Sequence, residues 1–235
     1  MSLSFSAYPA TQFSPQDFQE LSPLAKTILL MLALLDDQVP FKLFTPALTE
    51  QGYSDQEVNN IAKVLEINGW LIKTQQGYMN STSGFRISSA RVSDASESLA
   101  AFDAARQIVS SPTFRALVPS SEEWGLVLQA GHAWLGGEIE KHERALQQYF
   151  IPARELSERD AILLELIIQD WDKVQFRTLT TTTQTQLFLC WLKAQRGLLI
   201  MRELPAEAIE YVHNCFHKNP KMWKPVLYRV GVAQA

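Results

Sequence analysis

The chain has 235 residues, 46% of them hydrophobic and 20% charged, with a formal net charge of -4 and a pI near 5.6. That length admits one large or two small cores, and the composition excludes a disordered chain. The acidic balance excludes the overall basicity that marks many proteins of nucleic acid or membrane surfaces. Cys190 and Cys215 are the only cysteines, which suits reduced thiols in a cytoplasmic setting rather than a disulfide framework. The apolar run over 28–35 falls well short of the ~20 residues that span a bilayer, so no membrane partner is expected.

Residues 1–19, with Tyr8-Pro9, Phe13-Ser14-Pro15 and Phe18, mix aromatics with turn formers and read as an N-terminal arm. Ser22-Pro23 predicts a helix start, because proline at the first helical position gives up only an N–H that has no partner. Leu24, Ile28, Met31, Leu32 and Leu35 make its apolar face, and Asp36-Asp37 end it. Val39-Pro40 opens a second, shorter helix with Phe41, Phe44 and Leu48 inward, running to Gln51-Gly52. Ser54 and Glu57 form a capping box for a third helix, whose apolar positions are Val58, Ile61, Ala62, Leu65 and Ile67. Asn68-Gly69 ends it, and two short strand-like runs follow, 70–74 and 78–80, joined by Gln75-Gln76-Gly77. Three helices and a hairpin over 20–90 predict a winged helix, with the third helix as recognition helix and the hairpin as wing.

The small, polar stretch 90–95 reads as a connector, and 91–235 as an all-α domain. Leu99, Phe102, Ala105 and Ile108-Val109 mark one helix, stopped at Ser110-Ser111-Pro112. Ser120 and Glu123 predict another capping box, ahead of Trp124, Val127, Leu128 and Trp134. Gly136-Gly137 breaks that helix and leads to one carrying Ile139, Ala145, Leu146 and Tyr149. Ser157 and Asp160 start a further helix reaching Trp171. The run 178–185, with six threonines and one glutamine among eight residues, reads as a low-complexity loop or a helix lead-in. Residues 187–201 form an apolar helix, and Leu204-Pro205 starts another that Asn219-Pro220 ends. The pair around Gly136-Gly137 has the spacing of a helical-repeat hairpin, but no repeat recurs at a fixed period. The fold class is therefore mainly α, a winged helix followed by a helical-repeat-like region or an irregular bundle.

Reaction chemistry is hard to place on this chain. Neither G-x-x-x-x-G-K-[ST] nor G-x-G-x-x-G occurs, and there is no G-x-S-x-G elbow. His142-Glu143 begins like H-E-x-x-H, but Leu146 stands where the second histidine ligand belongs. His213 and His217 lie one helical turn apart and could share a metal, whereas Cys215 falls on another face and no third ligand announces itself. No catalytic, cofactor or metal site is predicted, and the chain reads as a non-enzyme.

For nucleic acid, the outward residues of the third helix would be Asp55, Gln56, Asn59, Asn60 and Lys63, with Lys73 beside the wing turn. Over 20–90, however, five bases face seven acids, a net -2 that disfavours phosphate. The C-terminal end is more basic. From residue 190 on, seven bases face three acids, and Lys218, Lys221, Lys224 and Arg229 interleave with Phe216, Trp223 and Tyr228.

The opening LSPLAKTILLMLALL (21–35), followed by AWLGGEIEKHERALQQY (133–149), resembles the non-catalytic N-terminal region of bacterial Swi/Snf-class helicase-like ATPases over about 20–150. Signal-transducing ATPases that place a tetratricopeptide superhelix after a winged helix share the same order. The phosphate loop and helicase motifs of the first family are missing here, so no catalytic residue carries over. The resemblance implies an accessory region whose ATPase lies beyond Ala235. The expected function is a regulatory or protein-interaction module, with a protein partner or further domains of a larger chain. The alternative is a DNA- or RNA-binding regulator using the winged helix or the basic C-terminal helices.

Overall fold

The computed structural model describes residues 15–35, 40–75, 77–80, 95–118, 120–150, 166–197 and 205–233. Among them are twelve α-helices and one two-stranded sheet, so the chain is mainly α. It divides into two compact units, Met1–Ser121 and Glu122–Ala235. The Asp36-Asp37 helix end, the connector from 90 to 94, the Ser157/Asp160 helix start and the end of the apolar helix past Gly197 lie outside the described residues.

In the first unit a short helix, α1 (Pro15–Gln19), precedes α2 (Pro23–Leu35). Phe18, from the predicted arm, is fully buried and tilts against Trp70 with ring centroids 6.3 Å apart. Ser22 caps α2 by accepting the Ala25 amide at 3.3 Å, and Pro23 takes the first helical position. Eleven of the thirteen α2 residues are buried. The expected single apolar face is thus too narrow: Leu29, Leu30 and Leu34, on the other side, are buried as well. A helix apolar all round must be covered all round, and α5 (Ala95–Ser110) supplies the second cover by packing along α2. Lys26 of α2, 8% exposed, reaches Glu97 of α5 with Nζ to Oε1 at 3.3 Å.

A 3-10 turn (Phe41–Leu43) runs into α3 (Phe44–Glu50), which also packs against α5. The Gln51 side-chain amide donates to the Ala100 carbonyl at 2.7 Å. These contacts place α5 with the N-terminal helices, and so does α6 (Pro112–Leu117), whose Phe114 is 2% exposed. The compact unit that holds α2, α3 and α4 therefore includes α5 and α6 and extends to Ser121.

Helix α4 (Asp55–Ile67) starts on the predicted capping box: Ser54 Oγ accepts the Glu57 amide at 3.3 Å, and Glu57 Oε2 accepts the Ser54 amide at 2.7 Å. It ends in a Schellman turn, with Gly69 N to Glu66 O at 3.1 Å and Trp70 N to Leu65 O at 2.8 Å. Gly69 takes φ +77°, which glycine adopts without the steric penalty of a Cβ. Val58, Ala62 and Leu65 form the buried face. Ile67, expected inward, is 83% exposed, because two residues past the buried Leu65 it falls on the opposite side of the helix from Val58, Ala62 and Leu65.

Strands β1 (Leu71–Thr74) and β2 (Gly77–Asn80) pair antiparallel, Thr74 opposite Gly77 and Lys73 opposite Tyr78. Gly77 thus belongs to the strand rather than the turn, and only two residues connect the pair. At φ +137°, a Cβ on Gly77 would press on the Phe41 backbone, 2.9 Å from its nitrogen. Phe41 stacks on Phe44 at 5.4 Å and meets Tyr78, the residue after Gly77, edge-on at 5.0 Å.

In the second unit, α7 (Ser121–Leu135) and α8 (Ile139–Tyr149) form a hairpin. A second Schellman turn joins them, with Gly137 at φ +70° and Glu138 N to Ala133 O at 2.8 Å. A 3-10 turn (Ile168–Asp170) and the short α9 (Val174–Arg177) lead to α10 (Thr181–Gly197). The threonine run is the start of α10: Thr180 Oγ1 caps the Thr183 amide at 3.4 Å, and Thr183, Gln184 and Thr185 are buried. Helices α11 (Ala206–Lys218) and α12 (Pro220–Ala233) pack on each other, and α12 also packs on α10. Their core is a ring cluster: Phe188 stacks with Tyr211 at 5.9 Å, and Trp223 meets Phe188 at 5.7 Å and Tyr211 at 6.0 Å.

Candidate functional site

Each unit presents one helix face with functional potential. In the first unit, burial of Val58, Ala62 and Leu65 turns Gln56, Asn60 and Lys63 outward, and all three are exposed. Asn59 is exposed too, but its side-chain amide donates to the Asp55 carbonyl at 2.8 Å, a local bond that competes with reading a base. Lys73 is exposed on β1 and shares a surface groove with Asn59, Asp55, Lys42 and Thr45. Asp55 there accepts the Thr49 hydroxyl at 3.2 Å.

The charge on this surface is mixed. The Ser54 hydroxyl and amide hold the Glu57 carboxyl below the usual carboxylate range, so it stays ionised at the helix start. Glu66 accepts the Tyr78 hydroxyl at 3.2 Å, tying β2 to α4. Burial, with the Glu66 charge second, pushes the Tyr78 hydroxyl up. Lys42, Lys63 and Lys73 are thus matched by Asp55, Glu57 and Glu66. The same helix also exposes two aliphatic side chains three residues apart, Val64 at 48% and Ile67 at 83%.

In the second unit, α12 has opposite faces of opposite character. Trp223, Val226 and Val230 point into the core. Lys221, Lys224, Tyr228 and Gly231 line a shallow apolar groove with Phe216 and Leu227. Lys218, Lys221 and Lys224 are exposed, Arg229 is half-buried on the flank, and Tyr228 is 73% exposed. Trp223, expected as a stacking residue among the bases, is 2% exposed and serves the core instead, being in register with Val226 and Val230.

The histidine–cysteine cluster does not converge. His213 and His217 are exposed and Cys215 is half-buried. Burial raises the Cys215 thiol above its ordinary range, partly offset by its hydrogen bond with the Tyr211 hydroxyl, so the thiolate is disfavoured. Among the described residues, no three His, Cys, Asp or Glu side chains gather as a metal site would require.

Two polar features escaped the sequence reading. His142 is fully buried, with Nδ1 2.8 Å from the Ala130 carbonyl and its ring 4.9 Å from Trp134. Trp134 Nε1 in turn donates to Asp170 at 3.1 Å. The Gln184 amide donates to the Leu179 carbonyl at 2.9 Å and the Phe176 carbonyl at 3.3 Å, while its oxygen accepts the Tyr211 hydroxyl at 3.0 Å. Burial pushes that hydroxyl far above the ordinary tyrosine range. Both features organise the interior of the unit, and neither opens onto the surfaces described above.

No helix among the described residues is long and apolar enough to cross a membrane. No family model matches the chain, and no curated protein or solved structure is detectably similar to it.

Proposed function

We propose that the chain is a non-catalytic regulatory module, in which α2, α3, α4 and the β1–β2 hairpin form a winged helix that contacts protein rather than duplex DNA. The observation that carries this reading is the outward face of α4. It combines Val64 and Ile67, exposed and aliphatic, with an ionised Glu57 and a single lysine, Lys63. A helix laid into a major groove brings positive charge to phosphates on both sides, and most non-specific affinity comes from that charge. An exposed aliphatic pair amid mixed charge suits a protein interface, where a few buried apolar anchors dominate the energy.

The resemblance to the N-terminal regions of helicase-like ATPases supports the same class of role, an accessory surface for a larger assembly. Two measurements test the proposal. Affinity capture with the full chain, compared with Val64→Glu/Ile67→Glu, is expected to lose a specific protein with the variant. Titration of labelled duplex DNA at 50 and 200 mM salt is expected to show no binding that Lys63→Gln/Lys73→Gln weakens. Identical captures by both chains, or duplex binding that depends on those two lysines, would refute the reading.

A further inference from the structure

The outer face of α12 carries a different chemistry from α4. Between Tyr211 and Ala235 there is no Asp or Glu, while Lys218, Lys221, Lys224 and Arg229 are all present. Lys221 and Lys224 are exposed, and neither they nor Tyr228 makes an ion pair or hydrogen bond among the described residues. Lys218 ends α11, one residue before the Asn219 break, so positive charge continues from one helix to the next. Tyr228 follows Lys224 by one turn and Lys221 by two, on the same stripe. One turn advances about 5.4 Å, close to the step of an extended nucleotide backbone. Gly231 stands three residues beyond Tyr228 and has open space where a side chain would begin, so the ring is not covered from that end.

We propose that this stripe binds single-stranded nucleic acid, with Lys218, Lys221 and Lys224 on successive phosphates and a base stacked on the Tyr228 ring. Unpaired lysines in a segment free of acids match a polyanion, and an exposed ring flanked by them matches a base. A duplex keeps its bases stacked on one another and could use the lysines but not the ring. An anionic membrane would need a broad exposed apolar face, whereas Trp223, Val226 and Val230 are spent on the core and the outer side keeps only the small groove of Phe216, Leu227 and Tyr228 between the lysines. This inference is independent of the α4 reading, since it concerns another helix and another ligand.

Fluorescence anisotropy of the full chain with a labelled single strand of about 20 nucleotides tests it, with duplex of the same length and phosphatidylserine vesicles as further arms. Three phosphate contacts give a slope of log K against log salt of about -2, so single-strand affinity falls about 20-fold from 50 to 200 mM. Lys221→Gln/Lys224→Gln should reduce that fall to about threefold. Tyr228→Ala should weaken binding at least about fivefold while leaving the salt slope unchanged, because it removes stacking and no charge. All three altered side chains are solvent-facing, and an unchanged thermal melt verifies folding. No salt-dependent single-strand binding, equal affinity for duplex with no effect of Tyr228→Ala, or binding to the vesicles alone would each overturn the proposal.

Discussion

A histidine with no water around it must be neutral, and His142 shows the cost of making it otherwise. Burial lowers its pKa from 6.5 to about 4, against a smaller upward pull from the Ala130 carbonyl and Glu143. The neutral ring donates from Nδ1 to Ala130, leaving Nε2 buried with no partner. Protonation would put a charge on that nitrogen inside the core. Because the folded-state value lies below the unfolded one, the unfolded chain binds the extra proton, and stability falls as pH drops from about 6.5 towards 4. The loss saturates at an upper bound on the order of 3 kcal/mol. His142→Phe keeps a ring against Trp134 and removes the titration. Thermal melts between pH 4 and 7 should therefore show a flatter acid limb for the variant than for the parent chain. Parallel limbs would mean that His142 takes up its proton equally readily in the folded and unfolded chain. The position was read from sequence only as half of a failed zinc motif, because burial depends on α7, whose carbonyl it meets twelve residues upstream.

Elements here were legible wherever their boundaries rest on neighbours a few residues away. Ser22, the Ser54–Glu57 box, Gly69 and the Gly136-Gly137 break all act within five residues of themselves, and each helix end falls where those residues put it. Polar residues turned inward were not legible, because their partners are remote: Gln184 meets Tyr211 27 residues on, and Lys26 meets Glu97 71 residues on. The same limit applied to the candidate surfaces. The basic run of α12 was visible as composition, whereas the division of labour between Trp223 and Tyr228 needed the packing of α12 on α10. The Lys26–Glu97 pair makes the α2–α5 contact testable. Its side chains are only 10% and 15% exposed, and Glu97 Oε2 is buried without a partner. A pair this enclosed gives little net stability, yet removing one member strands the other. Lys26→Met alone should cost about 3 kcal/mol, and Lys26→Met/Glu97→Leu should recover most of that loss. Chemical denaturation of the three chains measures the coupling, and strictly additive costs would show that the charges do not sense each other.

The whole molecule resolves into two units whose boundary no local signal marks. The stretch 90–95 is small and polar, as linkers are, and it suggested a domain ending there. What decides the matter is α2, a helix with eleven buried residues out of thirteen. Three helices and a hairpin can bury one side of it. The other side needs α5, where Ala101, Phe102, Ala105 and Ile108 are each no more than 2% exposed. A fragment ending at residue 90 would therefore leave an apolar stripe of α2 in water, and each Leu or Ile uncovered there forfeits about 1.5–3 kcal/mol. Two or three such side chains consume much of the roughly 5–15 kcal/mol by which a domain is typically stable. A fragment of residues 15–121 is expected to melt cooperatively with dispersed amide resonances. A fragment of residues 15–90 is expected to bind hydrophobic dye, to melt without a sharp transition, or to self-associate through α2. If the shorter fragment instead folds as cooperatively as the longer one, α5 is a lid on a finished domain, and the all-round burial of α2 is not needed for its stability.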